Sequence, residues 1–176
     1  MEFSELLEKR RSVREYAETP VEKEKIEKIV NAAFAAPSAG NLQSYKIIIV
    51  RDKKAKEALS EAANSQKSIL LAPVVLAFFA DQSHSSKRYG VRGINLYAIQ
   101  DATIAAAYAQ LAAADLGLSS VWVGAFEPDK VSKILGAEQG EYPVALLPVG
   151  HAAPNVLRAV LQNKAFRHER KPTREI

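Results

Sequence analysis

Three short segments carry the residue types with which this chain could do chemistry. Arg10-Arg11-Ser12-Val13-Arg14 gathers three guanidinium groups and a hydroxyl. A guanidinium presents a planar fork of donors that matches phosphate oxygens, and a serine adds one more donor. The loop Pro37-Ser38-Ala39-Gly40-Asn41-Leu42-Gln43 offers a hydroxyl and two amides, which donate and accept and so suit the edge of a heteroaromatic ring. In Val121-Trp122-Val123-Gly124-Ala125-Phe126 a glycine closes an apolar run, where the backbone can approach a ligand and present its N–H. Each segment also has a plain structural reading: a solvated basic helix end, an ordinary turn, and a turn that ends a strand.

Other chemistries are missing from the sequence. There is no Gly-Lys-Ser/Thr phosphate loop, no His-Glu-x-x-His, no Gly-x-Ser-x-Gly and no Gly-x-Gly-x-x-Gly. His84, His151 and His168 stand far apart without ligand spacing, so no metal site is expected. Nothing anchors a serine–histidine nucleophile. With no cysteine, thiolate and disulfide chemistry are excluded, which is compatible with a reducing compartment.

The elements that must position these residues follow from pattern. The 176 residues are 48% hydrophobic and 25% charged, the balance of an ordinary globular domain. Residues 1–9 lack the apolar core of a signal peptide, and the apolar stretch from Ile69 to Ala80 is too short to span a bilayer. A soluble, cytoplasmic protein is therefore expected, with no membrane partner. The net charge of +4 is concentrated at the ends, in Lys9, Arg10, Arg11 and Arg14 and in Arg167, Arg170, Lys171 and Arg174. A phosphorylated ligand accounts for that excess as well as nucleic acid does, and no nucleic-acid-binding signature is present.

Residues 3–9 read as a short helix, and Thr19-Pro20-Val21-Glu22 as the start of a longer one with Thr19 as N-cap. That helix runs to Phe34, with Ile26, Ile29, Val30, Ala33 and Phe34 on one buried stripe. Tyr45 to Val50 reads as a strand buried on both faces, 53–63 as a helix and Val74 to Ala80 as a second buried strand. Residues 81–92 read as a polar surface loop or small lid. Residues 93–116 form the longest helix, apolar nearly all round, with Gly117 past its end. Such a helix implies a large self-association interface. Ser119 to Val123 reads as a short strand, Pro128 to Leu135 as a helix, and Val144 to Val149 as an edge strand interrupted by Pro148. The sum is one α+β domain over 1–176, with about four strands and helices on both faces.

In order along the chain, these segments resemble the FMN-dependent nitroreductase family. The resemblance rests on R-R-S-V-R at 10–14, A-P-S-A-G-N-L-Q at 36–43, N-S-Q-K at 64–67 and A-P-V-V at 72–75. It continues with L-Y-A-I-Q-D at 96–101, L-G-L-S-S-V-W-V-G-A-F at 116–126, L-P-V-G-H at 147–151 and R-K-P at 170–172. Where the family usually has N-x-Q-P-W, this chain has Asn41-Leu42-Gln43-Ser44-Tyr45.

The resemblance implies a three-layer fold around a mixed or mostly antiparallel sheet of about four to five strands, and a homodimer with two flavins at its interface. It implies that Arg10, Ser12 and Arg14 hold the FMN phosphate, ribityl chain and pyrimidine edge, with Arg11 acting through its backbone. Pro37, Ser38, Ala39 and Asn41 would reach the flavin from the other subunit. Asn64 and Lys67 would contact the ring edge, Val123 and Gly124 would bring a backbone donor to N5, and Arg170 with Lys171 would clamp the phosphate. The implied reaction is a ping-pong hydride relay from NADH or NADPH through the flavin to a small-molecule acceptor such as a nitroaromatic or quinone. No protein residue would act as acid or base, and Lys67 and Arg14 would stabilise charge. Flavin fragmentation, dehalogenation and a non-enzymatic FMN-binding role remain open on the same fold.

Overall fold

The computed structural model describes residues 2–156. Its elements, in order, are α1 (Phe3–Lys9), α2 (Lys23–Phe34), β1 (Tyr45–Val50), α3 (Lys53–Ala62), α4 (Lys67–Leu71), β2 (Val74–Asp81) and α5 (Gln82–Arg92). A π-helical turn at Gly93–Tyr97 then leads into α6 (Ala98–Asp115), β3 (Ser119–Ser120), α7 (Pro128–Leu135) and β4 (Glu141–Gly150). The strands lie in the order β1-β2-β4-β3, and each neighbouring pair is antiparallel.

β2 is the axis of the packing. Successive residues of a strand face opposite sides, and here both sides are covered. Val74, Leu76, Phe78 and Ala80 pack with the buried stripes of α2 and α6. Val75, Ala77 and Phe79 pack against Leu59 and Ala62 of α3, Ile69 of α4 and Val131 of α7. The result is the three-layer arrangement of helices, sheet and helices. Among the described residues, no helix is long and apolar enough to cross a membrane.

Several expectations need correction. α2 begins at Lys23 rather than at Thr19, because residues 20–22 stay non-helical and bury Val21 in the core. Phe34 is exposed on that helix, although its ring stacks on Tyr45. β1 is an edge strand, so Ile49 is 47% exposed and the strand is not buried on both faces. Residues 82–92 are helical with a break at Gly90, where φ is +54°, and not a loop. The Asp81 carboxylate caps α5 by accepting from the His84 N–H, and the polar composition reflects its place on the surface. The short helix α4 has too few residues to show a period.

β4 is longer than expected and sits inside the sheet, between β2 and β3, despite Pro148. The Pro148 carbonyl accepts from the Val121 N–H and from the Tyr16 hydroxyl, on the side away from β2. A residue's N–H and carbonyl leave a strand on the same side, so the donor that proline lacks is not one that β2 required. β3 is only two residues long, but Val123 pairs again with Leu146 farther along β4. Gly117, at φ +73, ends α6 in the left-handed conformation as the sequence implied, and Leu118 donates back to Ala113.

The N-terminal segment is fastened along the β3 side of the sheet. Ser12 bridges Ser120 in parallel, the Val13 N–H donates to the Ser120 carbonyl, and Ala17 donates to His151. The buried Tyr16 hydroxyl shares its one proton between the carbonyls of Val13 at 2.7 Å and Pro148 at 3.1 Å. Burial pushes this phenol well above its usual range, partly offset by the charge of Arg14, so it stays protonated as a donor. Tyr16→Phe is expected to cost about 1–2 kcal/mol by urea unfolding, because it removes a buried hydrogen bond.

Candidate functional site

The segment 10–16 runs extended rather than ending as a solvated helix tip. Val13 turns inward and is 3% exposed, while Ser12 and Arg14 beside it face out. Arg11 turns back and donates to the carbonyls of Glu8 and Arg10, closing the end of α1. Its guanidinium is therefore engaged locally, which leaves its backbone for any further role.

Arg14 lines a cleft of about 520 Å³ with Glu15, Tyr16, Gln66, Lys67, Ser68, Leu71 and Ala153. Arg14 and Lys67, far apart in sequence, thus meet at one opening. The cations come from the sheet-edge segment and from the first residue of α4. Lys56 steadies α4 from behind by donating to the Ala72 carbonyl at 2.7 Å. Burial, reinforced by Lys53, holds the Lys56 ammonium below its ordinary range.

Next to Lys67, Asn64 and Ser65 take positive φ values of +55° and +57°. This bend brings two amides onto one carbonyl. Asn64 Nδ2 and Gln66 Nε2 donate to the Ala125 oxygen at 3.4 and 3.3 Å. The turn after Val123 is thereby tied to the α3–α4 connection. Gly124 is exposed in that turn, and a Cβ on it would meet the Trp122 indole Nε1 at 3.2 Å. Its φ is not left-handed, so the glycine serves to admit the indole rather than to turn the chain. Val123 is buried and bridges Leu146.

Pro37, Ser38, Ala39 and Asn41 do not line this cleft in the single chain; their loop packs against α5 and α6. The chain passes through Gly40, Asn41 and Gln43 at φ +57°, +56° and +49°. Ser38 Oγ accepts from the Gln43 N–H at 2.9 Å, and Gln43 Nε2 donates to the Phe34 carbonyl, so the Gln43 amide is engaged inside the loop. Asp101, buried in α6, accepts from the N–H groups of Ala39 at 2.9 Å and Ser44 at 3.4 Å. Burial, aided by the Asp101 charge, pushes the Tyr45 phenol up. Arg10 is half-buried beside the segment just described. Arg170 and Lys171 lie outside the described residues.

Gln66, Ser68 and Asp101 were not singled out from the sequence. Asp101 did leave a signal, as a lone carboxylate on an otherwise apolar helix face. Gln66 lay inside the N-S-Q-K motif without being given a role, and Ser68 left no signal, because only the fold brings them to the cleft.

Comparison with known proteins shows the family and the fold. The sequence model of the Nitroreductase family matches residues 7–81 and 64–151. The chain is 34% identical over 173 residues to the FMN reductase (NAD(P)H) of Bacillus subtilis (strain 168), covering 90% of this chain and 70% of the relative. It is 33% identical over 172 residues to an NADH dehydrogenase of Thermus thermophilus, covering 82% and 84%. Among solved structures, a nitroreductase family protein from Clostridium novyi NT superposes with a TM-score of 0.80 at 27% identity, covering 89% and 88%. One from Clostridium difficile 630 does so with a TM-score of 0.77 at 35% identity, covering 87% and 86%. The chain belongs to the nitroreductase family.

Gly40 offers a direct test of the loop geometry. A Cβ there would collide with the Tyr89 hydroxyl and crowd Arg88 Nη1 at 3.0 Å, at a left-handed φ. Gly40→Ala is expected to cost about 1–2 kcal/mol from backbone strain, plus the displacement of Tyr89. In a Tyr89→Ala background, equilibrium unfolding should show the strain component and the crowding of Arg88 alone.

Proposed function

We propose that this chain is an FMN-dependent oxidoreductase that uses NADH or NADPH to reduce small-molecule acceptors such as nitroaromatics and quinones. It acts as a cytoplasmic homodimer, with the chain as one FMN-binding domain. The observation that carries this reading is the meeting of Arg14 and Lys67 on one cleft, next to the turn that exposes Gly124.

The donor set fits FMN. A phosphate calls for fixed cations, and the hydroxyl-rich chain and ring edge call for neutral donors and acceptors. The cleft offers Arg14, Lys67, Gln66 and Ser68. Relatives named FMN reductase and NADPH-flavin oxidoreductase support the same cofactor.

When bound, FMN supplies the hydride and electron transfer between nicotinamide and acceptor. The chain's own groups supply position and field. Arg14 and Lys67 set positive charge where the phosphate and the negative charge of the reduced state are held. Asn64 and Gln66 fix the Ala125 carbonyl, which holds the exposed Gly124 backbone in one orientation.

Dimerisation is supported by apolar side chains that the described chain leaves uncovered. Phe3 and Leu7 of α1 are 63% and 50% exposed, and Tyr108 of α6 is 40% exposed. A surface of this kind marks a protein interface. Self-association would explain why α6 is apolar on sides that the core does not bury.

The purified protein should show the absorption bands of oxidised flavin, release FMN on denaturation, and bleach rapidly on anaerobic stopped-flow mixing with NADH or NADPH. A colourless protein with no FMN-dependent quinone or nitroarene reduction would sink the reading, and slow bleaching would favour a binding role. Arg14→Ala and Lys67→Ala should each raise the FMN Kd about tenfold or more, the scale of one charged hydrogen bond. Leu7→Glu combined with Tyr108→Glu should shift the sedimenting species from dimer to monomer.

A further inference from the structure

Asp101 is 2% exposed, and among the described residues its hydrogen-bond partners are backbone N–H groups rather than a cation. A buried carboxylate is costly unless its oxygens are satisfied, and it destabilises strongly when its partners are lost. α6 is otherwise built from alanine, leucine, isoleucine and a few polar surface residues, so an apolar side chain at this point would serve packing alone. Both N–H groups that reach the carboxylate belong to one loop.

They also flank the part of that loop that most needs holding. Between Ala39 and Ser44 lie Gly40, Asn41 and Gln43, all left-handed. Two of these are not glycine, and each such residue stores strain that surrounding contacts must offset. The loop's own backbone bonds are few: Asn41 to Ser38, Leu42 to Ala39 and Tyr45 to Gln43. The carboxylate closes the loop from one side with Oδ1 on Ala39 and Oδ2 on Ser44, while Tyr89 and Arg88 of α5 press on Gly40 from the other.

We propose that Asp101 is a positioning residue that holds the 37–44 loop in the shape in which Ser38, Ala39 and Asn41 meet the flavin. It acts through the Ala39 and Ser44 N–H groups and touches no substrate itself. The flavin half of this proposal rests on the functional reading above; the bracing half does not.

Two variants separate the possibilities. Asp101→Asn keeps size and shape but turns one acceptor into a donor facing an N–H. Ala39→Pro deletes the N–H that Oδ1 accepts and leaves the carboxylate in place. Ser38, at φ −140° and ψ 160°, already has the conformation that precedes a proline. In the intact protein, Asp101→Asn should speed amide exchange across 40–44 by about tenfold or more while β2 and the rest of α6 keep their protection. The FMN Kd should rise about tenfold, and the visible circular dichroism of bound flavin should change. Ala39→Pro should move the same readouts in the same direction, and the double variant should be no worse than Asp101→Asn alone.

Wild-type exchange at 40–44 in Asp101→Asn would overturn the proposal. So would fully additive effects, or a loss of protection spread evenly through β2 and α6. If the wild-type protein fails to bind FMN, the functional reading falls, while the exchange measurements still decide whether Asp101 braces the loop.

Discussion

The hydroxyl of Tyr16 ties together two stretches of chain that are far apart in sequence. It shares its one proton between the carbonyl of Val13 on its own segment and that of Pro148 near the end of β4, from a position almost closed to water. Burying a hydroxyl without a partner is costly, and these two carbonyls are what this one finds. With the Val13–Ser120 hydrogen bond, this contact lays the basic segment against the sheet and turns Arg14 toward α4. Without that fastening, Arg14 would be one more solvated cation near the N-terminus.

The cleft is then assembled from parts that each answer to a different constraint. Lys67 is placed by α4, which packs through Ile69 into the core and is held by Lys56. The Gly124 turn is placed by the return of Val123 to β4 and by two amides on Ala125. The 37–44 loop stands apart from the cleft within one chain and is braced by α6 instead. Each part thus keeps its shape through contacts of its own, independent of the others.

The main secondary structure was legible where a period or a terminus signal was strong. α1, β1, β2 and α7 lie within a residue of where hydrophobic spacing and Pro128 put them. Two of the failures come from tertiary contacts that overrode local preference, and the third from composition misread as irregular chain. Thr19 and Pro20 have the chemistry of a helix start, but burying Val21 keeps that stretch non-helical. Residues 82–92 look like a loop by composition, but a surface helix needs little apolar content once Asp81 caps it. Pro148 signals an edge, but its missing donor points away from β2, so an interior strand tolerates it.

By itself the sequence determined the chemical inventory: arginines, a lysine and amides with no thiol, no clustered histidines and no nucleophile, in an order that resembles one flavin-binding family. It also determined the layered fold, because strand and helix periods are local properties of the chain. Only the tertiary structure decided which of those groups act together. It joined Arg14 to Lys67, committed Arg11, Gln43 and Asn64 to the chain's own carbonyls, and revealed Asp101 as a brace rather than a stray charge. The physical reason is that hydrogen-bond partners between distant residues are settled by burial and by the path of the backbone, and neither is encoded in the spacing of any one segment.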